Sequence, residues 1–179
     1  MNKQVWIEKA LGLGIQEFEI YQSTTVEKEM TWFQGQMDTL VSSKVTGTSI
    51  RGIVDGKMAN MALEEIDDSM CETVLKSLIE QAHIISNEET DSLRKPEPIE
   101  YAKKDVTWNM ASTEYVKDIL QSLEAKILAY DPRVIQVGYL GYSQGSGSRS
   151  IVNSLGMDVQ DADEMQYIVA SVVVIEEEE

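Results

Sequence analysis

The sequence has 179 residues, enough for one domain burying roughly 70% of its unfolded surface, with a hydrophobic fraction of 42% and a charged fraction of 26%. It carries 31 acidic against 15 basic residues, a formal charge of −16, and no cluster of four or more Lys/Arg. Direct binding to nucleic acid or to an anionic membrane, which rests on basic residues neutralising phosphates, is therefore not expected.

Val5, Trp6, Lys9, Ala10 and Leu13 fall at helical spacing, with Gly12 and Gly14 as stops. From Glu17 the period switches to two. Phe18, Ile20, Val26, Met30 and Trp32 share one face, and Glu17, Glu19, Glu27 and Glu29 share the other as a solvated row. Gln34-Gly35-Gln36 reads as the turn, Met37 to Lys44 as the return strand, and Gly47 to Val54 as another strand. Asp55-Gly56 is a two-residue hairpin signal, because Gly accepts the positive φ of a primed turn. A strand from Lys57 to about Ala62 follows.

Asp67, Asp68 and Ser69 offer oxygens for a helix start, with Glu72 three residues after Ser69 as in a capping box. Met70, Val74, Leu78 and Ile85, beside Cys71, Leu75, Ile79 and Ala82, form a broad apolar stripe. A polar stretch with Pro96 and Pro98 predicts a long loop over about 87–110, of a length that is usually functional or mobile. A second main helix starts near Thr113, its stripe running through Val116, Leu120, Leu123, Ile127 and Tyr130 to a stop at Asp131-Pro132. Strands return over Val134–Tyr142, Arg149–Asn153 and Met165–Ile175, the first two joined by Gly145-Ser146-Gly147-Ser148. The expected fold is α+β, a long antiparallel β meander with two main helices packed on the sheet and a short N-terminal helix. The expected organisation is a single domain over 1–179. The four glutamates after a strong β-branched strand read as a cut at its C-terminal end.

Residue types that do chemistry are scarce. There is one histidine, His83, and one cysteine, Cys71, so neither a His-based metal site nor a serine triad can be assembled in the usual way. Gly141-Tyr142-Ser143-Gln144-Gly145 matches the G-x-S-x-G elbow by letter, but strand follows it instead of a helix, and no histidine lies downstream. The same glycines lack the G-K-[ST] ending of a phosphate loop. His83 reads as a boundary residue and Cys71 as a small core hydrophobe. The rows Glu17/Glu19/Glu27/Glu29 and Glu64/Glu65/Asp67/Asp68 could attract a hard cation, but read better as a solvated face and a helix start. Trp32, Phe33 and Trp108 are aromatics that either anchor a partner or cap a core edge. A lone cysteine, no signal peptide and no apolar run of bilayer length point to the cytoplasm.

One succession of short motifs carries more. Leu13-Gly14-Ile15-Gln16-Glu17-Phe18-Glu19-Ile20-Tyr21, the hairpin Ser49-Ile50-Arg51-Gly52-Ile53-Val54-Asp55-Gly56-Lys57-Met58-Ala59, and the turn Asn153-Ser154-Leu155-Gly156 resemble, in order and spacing, the N-terminal domain of the TldD/PmbA family. That family comprises proposed modulators of DNA gyrase and predicted metallopeptidases. The chain departs from it at Asn60, where a hairpin glycine is usual, and at Thr48-Ser49, where a more Gly-rich run is common. The resemblance implies a zinc motif, H-E-x-x-x-H, beyond this domain in TldD-like members, and its absence from the PmbA-like members that pair with them. No residue here matches that motif, so no catalytic, cofactor-binding or metal residue carries over. The resemblance allows zinc in the C-terminal part of a full-length TldD-like protein, and the branch stays open, the divergent hairpin leaning toward the PmbA-like one.

The function implied is a supporting one in peptide or protein processing. This part would shape access for a peptide or unfolded protein and assemble with a family member as a homo- or hetero-oligomer. A stand-alone acidic scaffold that engages a basic partner is the other reading the charge allows.

Overall fold

The computed structural model describes residues 1–64, 66–86, 90–98 and 109–176. In chain order it holds α1 (Lys3–Gly12), β1 (Glu17–Phe33), β2 (Gln36–Val54), β3 (Lys57–Leu63), α2 (Cys71–Ile84), α3 (Thr113–Leu128), β4 (Val134–Asn153) and β5 (Asp158–Val174). The strands form one five-stranded antiparallel sheet in the order β3-β2-β1-β4-β5, with the three helices packed on it, so the expected α+β class holds. Among the described residues no helix is long and apolar enough to cross a membrane.

Turn chemistry fixes the hairpins. Gln34 and Gly35 at φ 49° and 79°, and Asp55 and Gly56 at φ 49° and 74°, are two pairs of positive-φ residues, as a primed turn demands. The second turn sets the β2–β3 register from Val54↔Lys57 to Thr48↔Leu63. The Asn2 side chain caps α1 by accepting from Val5 N–H at 3.3 Å.

Several expectations are corrected. Met37–Lys44 and Gly47–Val54 belong to one 19-residue strand, β2. Val134–Tyr142 and Arg149–Asn153 belong to one 20-residue strand, β4, so Gly145–Ser148 is extended and not a loop. Glycine there permits close packing: a Cβ on Gly147 would lie 2.8 Å from Asp163 Oδ1. The capping box is absent, because Asp67 caps a single turn at Asp68–Met70 before α2, and Glu72 bonds Lys76 instead. Tyr130 is 88% exposed, because α3 has already ended at Leu128. Of the 87–110 stretch, residues 90–98 and 109–110 are described and form neither helix nor strand, while 87–89 and 99–108 lie outside the described residues.

The chain divides into two compact units, each with its own core. The first is Met1–Thr24, Val45–Asp105 and Ser148–Ala162, and the second is Thr25–Lys44, Val106–Gly147 and Asp163–Glu179. The first unit's core joins Trp6 and Ala10 of α1 to Phe18, Ile20 and Ile50 of the sheet and to Val74, Leu75 and Leu78 of α2. Gly52 lets α2 close down there: an added Cβ would meet Ile15 Cγ2 at 2.9 Å and Leu78 Cδ2 at 3.0 Å. The second unit's core sets Val116 and Leu120 of α3 against Met30, Trp32, Val137, Leu140 and Tyr142.

Candidate functional site

In the first unit, period-two alternation sends Phe18 and Ile20 into the core and Glu19 and Tyr21 to the opposite side of the strand. Glu19 is nevertheless only 3% exposed, so the solvated row expected for Glu17, Glu19, Glu27 and Glu29 fails there. A buried carboxylate requires partners. Arg51 on β2 donates to Glu19 Oε1 from Nε at 2.7 Å and sits at 2.6 Å through Nη2. Asn153, at the end of β4, donates from Nδ2 to Glu19 Oε2 at 3.1 Å and to the Arg94 carbonyl at 3.0 Å. Its Oδ1 accepts from the N–H groups of Leu155 and Met157 at 3.0 and 2.9 Å, which closes the turn. Ser154 completes the junction: its N–H donates to the Phe18 carbonyl and its Oγ accepts from Phe18 N–H.

The same junction fastens the segment over 90–98. Asp91 donates to the Gly56 carbonyl at 2.9 Å and accepts from Met58 N–H at 3.1 Å. Leu93, itself buried, donates to Glu17 Oε2 at 2.6 Å, and Ser92 Oγ donates to the same carboxylate. Glu17 is thus a half-exposed clasp on this segment.

Beside the junction lie two hollows. One, of about 260 Å³, is lined by Glu19, Tyr21, Ser49, Arg51 and Ile151. The other, of about 280 Å³, is lined by Tyr21, Arg149, Ser150, Ile151, Val159, Gln160 and Asp161. They share Tyr21 and Ile151. A third, of about 180 Å³, takes in Lys3, Gln22, Thr24 and Ser148. Burial holds the Lys3 ammonium below its ordinary pKa, Asp158 opposing, and Nζ donates to Ser150 Oγ at 2.5 Å.

In the second unit, Glu124 of α3 is buried, and its Oε2 accepts from Trp32 Nε1 at 2.8 Å and Gly35 N–H at 3.0 Å. One carboxylate therefore ties the helix to the β1–β2 turn. Glu124 continues the i, i+4 row of Val116 and Leu120, so the spacing of α3 marked its face, and only its charge kept it out of the apolar stripe. The Tyr142 hydroxyl, its pKa raised by burial, donates to Gln144 and accepts from Gln166. Strand β5 is at the sheet's edge and exposes Met165, Tyr167, Ile168, Val169, Val172 and Val173.

Two family models match the sequence: PmbA/TldA metallopeptidase domain 1 over residues 18–86, and the PmbA/TldA metallopeptidase central domain over residues 107–179. The chain belongs to the PmbA/TldD family. Solved structures agree in fold. A proposed modulator of a DNA gyrase from Thermotoga maritima aligns at 18% identity and a TM-score of 0.75, over 97% of this chain and 39% of its own. TldE from Thermococcus kodakarensis aligns at 19% and 0.77, over 97% and 39%. A proposed modulator of DNA gyrase from Bacteroides thetaiotaomicron aligns at 18% and 0.78, over 98% and 41%. The chain therefore spans about two fifths of the length of these structures. No curated protein matches it.

Three of the short motifs that suggested the PmbA/TldD family thus meet at one point, through Glu19, Arg51 and Asn153. Asn153 falls in the central-domain match, yet it bonds Glu19, which falls in the domain 1 match. The other sequence candidates do not join them. Ser143 lies inside β4, with no strand-to-helix elbow. His83 is exposed, 3.6 Å from Asp55 Oδ2. Cys71 is buried in the first core, where burial pushes its thiol pKa up. Asp67 and Asp68 are occupied by Ser69, and by Asn2 and Trp6. Among the described residues no group of three or more His, Cys, Asp or Glu could hold a metal ion. Trp32 is core, Phe33 is exposed, and Glu65 and Trp108 lie outside the described residues.

Proposed function

We propose that this chain supplies the substrate-access and assembly part of a PmbA/TldD-like peptide-processing system in the cytoplasm, with the bond-breaking chemistry housed elsewhere. The observation that supports this most is β5: an edge strand whose 165–174 stretch leaves apolar side chains in solvent, Met165 at 62% and Val174 at 51% exposed. A soluble protein seldom leaves so long an apolar edge without a partner. Such an edge suits either an extended peptide or unfolded chain, bound by backbone hydrogen bonds, or a family member in a homo- or hetero-oligomer. Zinc, where present, would belong to the further part of a TldD-like protein.

The test is hydrogen–deuterium exchange of the 179-residue chain with and without an unfolded polypeptide. Slower exchange over 165–174 is expected; unchanged exchange there would remove the support. The −16 charge favours a second reading, a scaffold for a basic partner. Association that vanishes with salt while exchange in β5 stays unaltered would favour that one.

A further inference from the structure

The two hollows adjoin at Tyr21 and Ile151 within the first unit, and their linings together come from four neighbouring strands. Ser49 and Arg51 come from β2, Tyr21 from β1, Arg149 and Ile151 from β4, Val159 and Asp161 from β5. Tyr21, Ile151 and Val159 make the floor apolar. Opposite charges, Arg51 and Asp161, stand on the outer strands, and Arg149 adds a second cation on β4. Arg51 is held by the buried Glu19 through Nε and Nη2, while its side chain stays 43% exposed. A guanidinium has five N–H donors, so an Arg fixed along one edge can still offer the other to a carboxylate. Asp161 is exposed on β5.

From β2 to β5 is three inter-strand spacings, about 14 Å. That is the reach of roughly four extended residues. We propose that the two adjoining hollows act as one groove that binds a short zwitterionic peptide, its C-terminal carboxylate on Arg51 and Ser49, its terminal ammonium on Asp161, and its apolar side chains on Tyr21, Ile151 and Val159. Charge decides for a zwitterion over a simple anion, since the protein's overall field repels net negative ligands and spares a neutral one. The proposal rests on the peptide-processing reading and narrows it to a ligand whose two ends are free.

The probe is the tetrapeptide Ala-Leu-Phe-Ala, free, N-acetylated, C-amidated or capped at both ends, titrated into the 179-residue chain by NMR. The free peptide should shift the amides of Tyr21, Ser49, Ile151 and Val159, and amidation should weaken it about tenfold, the scale of one partly exposed charge-assisted bond. Asp161→Asn should weaken the free peptide and leave the acetylated one unchanged. Arg51→Lys, which keeps a cation on Glu19, should erase the preference for a free carboxylate. Equal affinity of free and doubly capped peptides overturns the proposal, as does a shift confined to 165–174. If an unfolded polypeptide protects β5 while no tetrapeptide binds, the groove fails and the edge-strand reading stands. If the tetrapeptide binds and β5 is never protected, the groove stands alone.

Discussion

Glu19 and Asn153 are 134 positions apart in the chain and meet in a buried hydrogen bond of 3.1 Å. Asn153 uses both ends of its amide there, donating to Glu19 and the Arg94 carbonyl and accepting from Leu155 and Met157. Among the described residues, no buried side-chain polar atom is left without a partner. Asn153→Ala should therefore cost about 2–4 kcal/mol in urea denaturation, because it strands a buried carboxylate oxygen and two turn amides. A loss below about 0.5 kcal/mol, the range of ordinary surface substitutions, would mean that the junction holds nothing together.

Glu124 and Trp32 form the corresponding tie of the second unit. Glu124→Ala leaves the indole N–H and the Gly35 N–H unsatisfied and should cost roughly 2–3 kcal/mol, while Glu124→Gln, which keeps an acceptor, should cost about 1. The ranking is read from thermal unfolding followed by tryptophan fluorescence. Equal losses for the two variants would contradict it.

Three glycine-to-alanine changes should differ in size. Gly52→Ala drives a Cβ to 2.9 Å from Ile15, itself buried against the core, and should cost about 1–3 kcal/mol by overpacking. Gly56→Ala meets a φ of +74° and should cost about 1 kcal/mol through strain. Gly12 has nothing within 4 Å and an ordinary φ at the end of α1, so Gly12→Ala should be neutral or stabilising by up to about 1 kcal/mol. Chemical denaturation of the three variants gives the order.

Acid should weaken the protein partly through Asp131. Hydrogen bonds from the Arg133 side chain and backbone hold its carboxyl down at about 2. A carboxyl depressed in the folded state adds stability above its unfolded value, near 4, and loses it as pH falls through the folded one. Between about pH 4 and 2, Asp131→Asn should lose stability less steeply than the parent chain. Parallel curves over that window would show that this pair has no part in acid unfolding.

Cys71 should resist alkylation in the folded chain, since burial raises its thiol pKa and hides the sulfur. Rapid labelling by a thiol reagent in the absence of denaturant would contradict this placement.

Local chemistry was legible without coordinates. Asp55-Gly56 and Gln34-Gly35 announced their turns because positive φ is a property of one or two residues. Spacing of 3.6 gave α2 and α3, and spacing of two gave β1, because each reports a single element's own face. Glycine misled where the neighbours decided: Gly47 and Gly145–Ser148 looked like breaks, yet β2 and β4 run through them, because pairing with adjacent strands keeps the backbone extended. The site was half legible. Arg51 and the Asn153-Ser154-Leu155-Gly156 turn stood out as motifs, whereas Glu19 read as one more solvated carboxylate and Glu124 drew no notice.

The sequence by itself determined the strand and helix periods, the primed hairpins, the acidic charge balance and the kinship with the PmbA/TldD family. Tertiary structure alone decided that Glu19 is buried against Arg51 and Asn153, that Glu124 clasps Trp32, and that residues from four strands line two adjoining hollows. The division has a physical cause. A period or a turn depends on residues a few positions apart, whereas the fate of a charge depends on which distant strand is hydrogen-bonded beside it.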